Sequence, residues 1–458
     1  MSFDSLVFFL FYLLIFFLVK RISKYRGVIL LSGSLLFYFF AGITDICLVT
    51  FSILINYFLS LKVTENKARL FLIIFCNVVI LSFFKYRYFF VPDISYQLDD
   101  IFNTKILLPL GISFYTFQIL SYQIDLYRKK VEQIKSLKEF SFFVLFFPQV
   151  IAGPIVRANE LFPQIKNLFR SNHSRLIIYT FGLLLCVQGV VKKVVFADSL
   201  APYSDAIFNN TPADVFTAWL GSYLFAFQIY FDFSGYCDIA IGTAYILGIK
   251  LPVNFRQPYL AVNPRDFWKR WHITLSNWIR DYIYIPLGGG QNKKIFFNFL
   301  ILISTMMLAG LWHGANWTFI VWGAIWGGYI YFSRYMPKNR LSGSLIHWFF
   351  HFSIVLLLWV IFRSSSMSDA LTYIQIMFGF QHGNYAVGLN HVDKFLIVLG
   401  CSLLMFAHQI EKISASKKVL FLVKKYDNSI VHGTLIAIIF WLLVYPGDSN
   451  IPFIYFRF

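Results

Sequence analysis

Long runs of apolar residues alternate with short polar segments along most of this chain. Many of the runs approach the roughly 20 residues that an α-helix needs to cross the hydrocarbon core of a bilayer. The pattern therefore predicts an all-α polytopic integral membrane protein with roughly 11 transmembrane helices, plus re-entrant and interfacial amphipathic helices. The runs are Ser5–Val19, Val28–Phe40, Cys47–Leu61, Leu70–Phe84, Ile106–Ile124, Leu176–Val195, Trp219–Phe233, Ile295–Leu311, Phe319–Phe332, Leu345–Phe362, Phe395–Phe406 and Leu435–Val444.

The charged residues between the runs indicate how the helices are oriented. Basic residues cluster at Lys20–Arg26, Lys62–Arg69 and Arg128–Lys130, whereas Pro92–Asp100 carries acids and no bases. Loops on the cytoplasmic side are enriched in Lys and Arg. We therefore expect the N-terminus and the C-terminus to be extracytoplasmic, although Lys85 and Arg87 count against this assignment.

The apolar segment Phe140–Val156 differs from the other runs. Two prolines and Gly153 interrupt it, and basic residues lie on both sides. Broken backbone is tolerated at membrane depth only where protein or a cavity covers it. The segment is predicted either as a re-entrant wall of a substrate path or as a kinked helix pair.

The composition restricts the class of protein. Of the 458 residues, 58% are apolar, 20% aromatic and 14% charged, more hydrocarbon than a soluble protein of this length could bury. The formal charge of +18 arises from short basic clusters between apolar runs, so we expect contact with anionic membrane lipids and not with nucleic acid. The first run follows Asp4 and has no small-residue cleavage site, so it is predicted as a span.

Metal and nucleotide motifs are weak in this sequence. The five cysteines show no C-x-x-C spacing, so neither a disulfide framework nor a metal site is predicted. His347 and His351 could share one helical face as zinc or haem ligands, but no acid or cysteine accompanies them and an interfacial face is favoured. Gly288–Gly290 lacks the G-K-[ST] ending of a phosphate loop and is predicted as a hinge.

The segment Asp266–Asn316 is the chemically most specific part of the chain. His272 and His313, each directly after a tryptophan, stand on either side of the apolar run Ile295–Leu311. We expect His272 toward the cytoplasm and His313 on the outward side of that span. An ionisable group at membrane depth is a functional-site hypothesis by default, and the alternative is a Trp-His pair in the interfacial belt.

Two neighbouring segments carry further polar residues. Asp232–Asp238 interrupts the apolar pattern and is predicted as a structural polar cluster or as a lining of the reaction channel. Between Arg265 and Tyr284, aromatic and apolar residues recur every three or four positions, which predicts an amphipathic helix at the cytoplasmic interface. Its basic residues could anchor it to the membrane or attract an anionic, phosphate-bearing substrate.

Four motifs, in this order, resemble those of the membrane-bound O-acyltransferase family. They are PQVIAGPIVR (Pro148–Arg157), DFSGYCDIAIG (Asp232–Gly242), RWHITLSNWIRDYIYIPLGG (Arg270–Gly289) and WHGA (Trp312–Ala315). The most similar branch comprises bacterial proteins of alginate and peptidoglycan O-acetylation, and teichoic-acid D-alanylation is more distant. The resemblance implies one membrane-embedded domain over residues 1–458, with N-terminal helices in 1–105, a catalytic core in 106–333 and C-terminal helices in 334–458.

This resemblance implies an O-acetyltransferase of the bacterial inner membrane. We expect the donor to be a cytoplasmic thioester, either acetyl-CoA or an acyl carrier protein thioester, with no permanently bound cofactor and no metal. His313 is predicted as the general base or as a transiently acylated group, and His272 as a group that orients the donor or protonates the leaving thiolate. Further candidates for donor or substrate binding are Arg270, Arg280, Ser276, Asn316, Asp232 and Tyr236.

The C-terminal segment bears on possible partners. Gly447–Asn450 resembles the first conserved sequence motif of the SGNH serine esterases, but only eight residues follow Asn450. We therefore expect a polar turn here and a separate extracytoplasmic SGNH-type transferase as partner. The acceptor remains open among peptidoglycan, alginate-like and other glycans. A transporter of intact acyl donor or lipid-linked sugar is the alternative, although no two-halved repeat supports it.

Overall fold

The computed structural model describes residues 3, 5–95, 108–151, 153–170, 179–290, 295–335, 345–385, 400 and 427–444. Within these ranges the regular structure is helical, and Pro212 with Tyr385 forms an isolated parallel bridge. The predicted all-α class is therefore confirmed. The predicted turn Gly447–Asn450 lies outside the described residues, and so does the predicted run Phe395–Phe406 apart from residue 400.

The chain divides into two compact units. The first comprises Met1–Gln188, Tyr236–Pro252 and Ser429–Val444, and the second comprises the remaining residues. Two helices each continue from one unit into the other. They are α9 (Tyr179–Val190) and α11 (Val215–Ile246).

The first unit contains the N-terminal helices and the last described helix. Besides parts of α9 and α11 it holds α1 (Leu6–Arg21), α2 (Arg26–Phe39), α3 (Ile43–Ser60), α4 (Lys67–Phe90), α5 (Ile112–Tyr127), α6 (Leu137–Leu145), α7 (Phe147–Val150), α8 (Ala158–Arg170) and α18 (Ser429–Val444). Buried amides link three of these helices: Asn56 and Asn77 exchange hydrogen bonds of 2.8 and 3.2 Å, and Gln123 donates to the Asn56 carbonyl oxygen. Buried amides that bond each other satisfy their polar groups and fix the helix register.

The predicted interruption within Phe140–Val156 is confirmed. Helix α6 ends at Leu145, and the single turn α7 follows after Phe146, whose backbone ψ of 106° is not helical. The side-chain amides of Gln118 and Gln149 both donate to the Phe143 carbonyl oxygen at 2.7 Å, where the broken helix supplies no partner. The residues on both sides of Phe146 are buried.

The second unit contains the helices that surround the two motif histidines. Besides parts of α9 and α11 it holds α10 (Asp198–Asn209), α12 (Pro264–Trp268), α13 (Ile273–Ile279), α14 (Ile295–His313), α15 (Trp317–Phe332), α16 (Leu345–Arg363) and α17 (Met367–Met377). Two π-helical turns, Val191–Ala197 and Arg280–Tyr284, extend α9 and α13. Single π-helical turns inside helices are frequent at functional sites.

Five helices among the described residues are long and apolar enough to cross a membrane, and the pair α1 and α2, bent by 111°, is a sixth candidate. The predicted number of roughly 11 spans is not confirmed. Several predicted runs form helices of 16 residues, such as α5 and α15. At 1.5 Å per residue these are about 24 Å long, less than the roughly 30 Å of a hydrocarbon core.

The predicted run Trp219–Phe233 lies within α11, which spans 32 residues and continues through the polar segment Asp232–Asp238. Its polar side chains have partners on another helix. Lys193 lies 3.0 Å from Asp232 in the second unit, and Gln188 donates to Asp238 at 2.8 Å in the first. A helix can accommodate polar residues without ending where neighbouring side chains satisfy them.

Glycines bring α14 and α15 into backbone contact. A Cβ atom at Gly310 would collide with the Phe319 carbonyl oxygen, and one at Gly323 would collide with the Met306 carbonyl oxygen. Small residues at such positions let two membrane helices approach closely. The register of α15 against α14 is therefore set by these contacts.

We expect Gly323→Ala to lower the free energy of unfolding by about 1–3 kcal/mol, since the added methyl group meets backbone that cannot rotate away. The measurement is thermal unfolding of the purified protein in detergent. Gly328→Ala is the matched control, because it lies on the same helix and a Cβ there would meet nothing within 4 Å. Equal unfolding temperatures for both variants would contradict the packing argument.

Candidate active site

The backbone around His272 is strained. Asn263 caps α12 by accepting a hydrogen bond from the Asp266 N–H at 2.9 Å, and α13 begins only at Ile273. Between the two helices His272 has φ +43° and ψ 53°, in the left-handed region that residues other than glycine rarely occupy. Such strain persists where the surroundings over-determine it, often at functional sites. The imidazole of His272 is fully buried.

Asn254 holds the His272 ring in one tautomer. Its Oδ1 lies 3.2 Å from His272 Nδ1 and accepts hydrogen bonds from the Thr274 N–H and hydroxyl at 3.2 and 2.9 Å. Because the Thr274 N–H can only donate, the Asn254 atom is the carbonyl oxygen, and Nδ1 must carry the proton. The Nε2 atom of His272 therefore has the lone pair.

Aromatic rings enclose His272. The ring centroids of Phe233, Trp312 and Phe255 lie 4.8, 5.9 and 6.4 Å from that of the imidazole. Burial lowers the pKa of His272 to about 3, because an imidazolium would lose its hydration there. His272 is therefore a neutral hydrogen-bonding group at physiological pH.

His313 ends α14 in a second aromatic enclosure. Its ring lies 5.0 Å from Trp312, 5.1 Å from Phe362 and 5.4 Å from Trp322, and each pair is nearly perpendicular. The turn that follows is fixed by Asn316. Its Oδ1 accepts from the Thr318 N–H at 3.1 Å, and its Nδ2 donates to the Ser365 carbonyl oxygen at 2.8 Å. The 5% exposed His313 side chain is thus held at a helix end.

The indole of Trp312 lies against both imidazoles. Its centroid is 5.9 Å from His272 and 5.0 Å from His313. The two motifs, which are about 40 residues apart in sequence, therefore form one site. Both imidazoles lie next to the same indole, although the sequence had placed them on either side of one membrane span.

The predicted single amphipathic helix over Arg265–Tyr284 is broken at His272, whereas its position at the membrane interface stays a prediction. The segment forms α12, the left-handed His272, α13 and a π-helical turn. Its periodic aromatic residues face the protein core: Phe267 and Trp271 are fully buried and stack at 5.7 Å. A period of three to four residues is shared by interfacial and buried helices, and here burial against protein prevails.

The predicted donor-binding arginines are each ion-paired. Arg270 Nε lies 2.9 Å from Asp266, and Arg280 Nε lies 2.7 Å from Asp281. The side chain of Arg280 is 55% exposed and that of Arg270 33%, so both remain accessible from solvent. Ser276 donates at 3.2 Å to the Trp271 carbonyl oxygen, which stabilises the start of α13.

Comparison with known proteins shows the class of enzyme. Residues 34–367 match the model of MBOAT, the membrane-bound O-acyltransferase family. The chain belongs to the membrane-bound O-acyltransferase family. The matched range contains both histidines and α14 and α15. The resemblance inferred from the four motifs is confirmed, and the protein is a membrane acyltransferase.

Several proteins named as acyltransferases share long regions of similarity with the chain. The probable alginate O-acetylase AlgI of Azotobacter vinelandii is 38% identical over 396 residues, 83% of this chain and 78% of the relative. The peptidoglycan O-acetyltransferase of Helicobacter pylori is 37% identical over 406 residues, 80% and 75% of the two chains. The teichoic acid D-alanyltransferase of Bacillus subtilis is 28% identical over 327 residues, 66% and 81%.

Two other predicted positions of the acyltransferase lie in different units. Asp232 is buried in the second unit, where Lys193 contacts it at 3.0 Å and contacts Asp198 at 2.7 Å. Tyr236 belongs to the first unit, where its ring stacks on Phe3 at 4.4 Å. Asp232 is therefore part of a buried ion network, and Tyr236 packs against an aromatic ring near the N-terminus.

The pair His347 and His351 does not share one environment in the acyltransferase. His347 is exposed, whereas His351 is buried and its Nδ1 lies 2.9 Å from the Tyr329 hydroxyl. His351 therefore faces the protein interior and not an exposed helix face, and the interfacial position predicted for the pair stays a prediction. Among the described residues, no group of three or more His, Cys, Asp or Glu side chains could hold a metal ion.

Sequence reasoning missed three residues that shape this acyltransferase site. Asn254, Trp322 and Lys193 contact His272, His313 and Asp232 respectively, from outside the motifs that contain those three residues. Asn254 stands in a polar segment without a motif of its own. A lysine inside a predicted span, such as Lys193, was the one signal available, because buried cations in membranes require an anionic partner.

Proposed function

We propose that this acyltransferase moves an acetyl group from acetyl-CoA at the cytoplasmic face to a hydroxyl acceptor at the outer face of the bacterial cytoplasmic membrane. The acetylated polymer is peptidoglycan or an alginate-like polysaccharide. The names of the relatives support acetyl as the acyl group, since those named for O-acetylation are 37–38% identical and the D-alanyltransferase is 28% identical.

The observation that carries the proposal is the contact of Trp312 with both buried imidazoles. Acyl transfer from a thioester to an alcohol requires a base for the alcohol proton and groups that orient the donor. An aromatic, water-poor enclosure also protects the thioester from hydrolysis. The arrangement of His272 and His313 around one indole supplies these conditions.

In this proposal His313 is the general base. The acceptor oxygen attacks the thioester carbonyl carbon and passes its proton to His313, after which the C–S bond breaks and the thiolate takes that proton. The products are an ester and a free thiol. A route through a transient acyl-imidazole uses the same residue, with His313 as the nucleophile.

His272 has a different part in the proposed reaction. Its pKa of about 3 and its Nδ1 proton, which Asn254 holds, leave it without a proton to give a thiolate at neutral pH. Its Nε2 lone pair can accept a hydrogen bond from an N–H or O–H group of a substrate. We therefore assign His272 the orientation of the donor and not the protonation of the leaving group.

Arg270 and Arg280 are proposed to attract the phosphates of the donor. A guanidinium has five N–H donors, so one bond to Asp266 or to Asp281 leaves others for a phosphate. Both side chains are partly exposed, as a site for a charged nucleotide requires.

The proposal includes a partner and an orientation. A separate extracytoplasmic transferase of the SGNH type passes the acetyl group on to the polymer, and both chain termini lie outside the cytoplasm. The basic clusters that follow the first and third apolar runs support this orientation through the positive-inside rule.

The test uses purified protein in liposomes with acetyl-CoA labelled in the acetyl group. Release of free thiol together with transfer of label to an added acceptor glycan is the expected result. The acetyl thioester of an acyl carrier protein is tested in parallel. Label transfer from that donor alone would overturn acetyl-CoA as the donor.

The same liposomes separate acyl transfer from transport. A transporter would carry the labelled donor intact into the lumen, and no free thiol would form. Detection of unhydrolysed donor inside, without thiol release, would overturn the proposal. Transfer of D-alanine but not acetyl from a carrier protein would place the chain with its teichoic-acid relatives.

A further inference from the structure

The indole of Trp322 contacts His313 and has an unused hydrogen-bond donor. The ring is 1% exposed and nearly perpendicular to the imidazole, at a centroid distance of 5.4 Å. Its Nε1 atom is buried and has no hydrogen-bond acceptor among the described residues. A buried donor left unsatisfied destabilises the folded state, so its presence next to the proposed base requires an explanation.

Three other tryptophans near Trp322 also have a buried indole N–H. The Nε1 atoms of Trp268, Trp326 and Trp359 also have no acceptor within the described ranges. Each of these rings contacts Trp322, at 5.9, 6.4 and 6.1 Å. Of these four described tryptophans, Trp322 is the one with an observed ring contact with His313, which Trp312 also contacts, at 5.0 Å.

The position of Trp322 is fixed before any substrate binds. Its neighbour Gly323 packs on the Met306 backbone, and Gly327 lies one turn further against Ile303, where a Cβ atom would be 2.8 Å from Cα. Phe362 lies 5.1 Å from the indole and also contacts His313. The backbone that carries Trp322 therefore cannot shift without disrupting the packing of α14 and α15.

Acyl transfer needs a donor at the carbonyl oxygen. When the alcohol attacks a thioester, the carbonyl electron pair moves onto oxygen, and preorganised N–H groups aimed at this oxyanion stabilise the transition state. An N–H in a buried, apolar site is most effective, because water does not screen it. Trp322 offers such a buried N–H on a ring that contacts the residue assigned to accept the proton.

We propose that Trp322 is a catalytic residue whose indole N–H donates a hydrogen bond to the oxyanion of the tetrahedral intermediate. The inference rests on the proposed acyl transfer. The acceptor oxygen forms a bond to the carbonyl carbon, its proton goes to His313, and the negative charge on the former carbonyl oxygen is held by Trp322 Nε1–H. The charge then returns to re-form the C=O bond, the C–S bond breaks, and the sulfur takes the proton from His313.

The test compares kcat and KM for acetyl-CoA in purified Trp322→Phe and wild-type protein. We expect kcat to fall by about 10²-fold, as for removal of one oxyanion donor, while KM changes by less than about threefold. A second variant carries a benzothiophene analogue of tryptophan at position 322, with nearly the same shape and no N–H. It is expected to show the same loss, which excludes misfolding as the cause.

Trp326→Phe is the matched control. Trp326 lies on the same helix, is equally buried and also has a donor without an acceptor among the described residues. Its kcat is expected to stay within about threefold of wild type, because it is not placed against His313. Full activity of either Trp322 variant, a change in KM alone, or an equal loss in Trp326→Phe would overturn the assignment.

The rate of the wild-type protein tests the proposed acyl transfer, and the ratio of variant to wild-type kcat tests the role of Trp322. If wild-type protein transfers acyl groups only from a carrier protein, the proposed donor is wrong, and the kcat ratio is measured with that thioester, which has the same carbonyl group. If wild-type protein transfers no acyl group from any thioester, both proposals fail. A normal wild-type rate with an unchanged variant overturns the role of Trp322 alone.

Discussion

His313→Ala is expected to reduce acyl transfer by about 10³-fold or more while the protein stays folded in the membrane. The reason is that the variant removes the group proposed to accept the alcohol proton, and the surrounding rings of Trp312, Trp322 and Phe362 cannot replace it. The measurement is transfer of labelled acetyl per mole of folded protein. Thermal unfolding of the purified variant checks that the fold is intact.

His351→Ala is the control for removal of a buried imidazole. His351 is also buried on a long helix of the second unit, but its observed side-chain hydrogen bond is to Tyr329. We expect a lower unfolding temperature, from the lost packing, with activity per folded molecule within about threefold of wild type. Retention of transfer by His313→Ala would remove His313 from the mechanism.

The same variant separates the two possible roles of His313. If a transient acyl-imidazole forms, wild-type protein given labelled acetyl-CoA without acceptor carries label on His313, and His313→Ala does not. If His313 acts only as a base, neither protein is labelled, although wild type still transfers to added acceptor. Both results keep His313 in the reaction and differ in which bond its imidazole forms.

Much of the fold followed from hydrophobic run length, because each helix of a membrane protein must satisfy its own backbone. The predicted runs Ile295–Leu311 and Leu345–Phe362 became helices Ile295–His313 and Leu345–Arg363. The run that ended at Phe233 was predicted too short. Its continuation depends on Lys193 and Gln188, whose proximity to α11 no local pattern records.

The sequence pointed to the two histidines of the site but not to how they are arranged in space. His272 and His313 stand out because imidazoles in an apolar sequence need a reason to be there. Their contact through Trp312 depends on a left-handed backbone at His272 and on an acceptor from Asn254. Neither follows from periodicity, since the same spacing of aromatic residues fits a helix at the membrane surface or in the core.

Lys193→Met is expected to be the most destabilising single substitution proposed for this chain. Lys193 Nζ lies 2.7 Å from Asp198 and 3.0 Å from Asp232, and all three side chains are less than 9% exposed. Removal of one partner from a buried ion network costs about 3–5 kcal/mol, because the remaining charges stay in a medium that solvates them poorly. We expect a large fall in unfolding temperature and in the amount of folded protein recovered from membranes.

The ion network also predicts rescue, which a simple packing defect would not show. Adding Asp198→Asn and Asp232→Asn to Lys193→Met removes the two carboxylates, so the triple variant should recover much of the lost unfolding temperature even though it carries more changes. Lys166→Met is the control, since its ion pair with Glu132 is largely exposed and should contribute little. A triple variant that is no more stable than Lys193→Met would show that the lysine stem, and not its charge, holds α11 against the π-helical turn that follows α9.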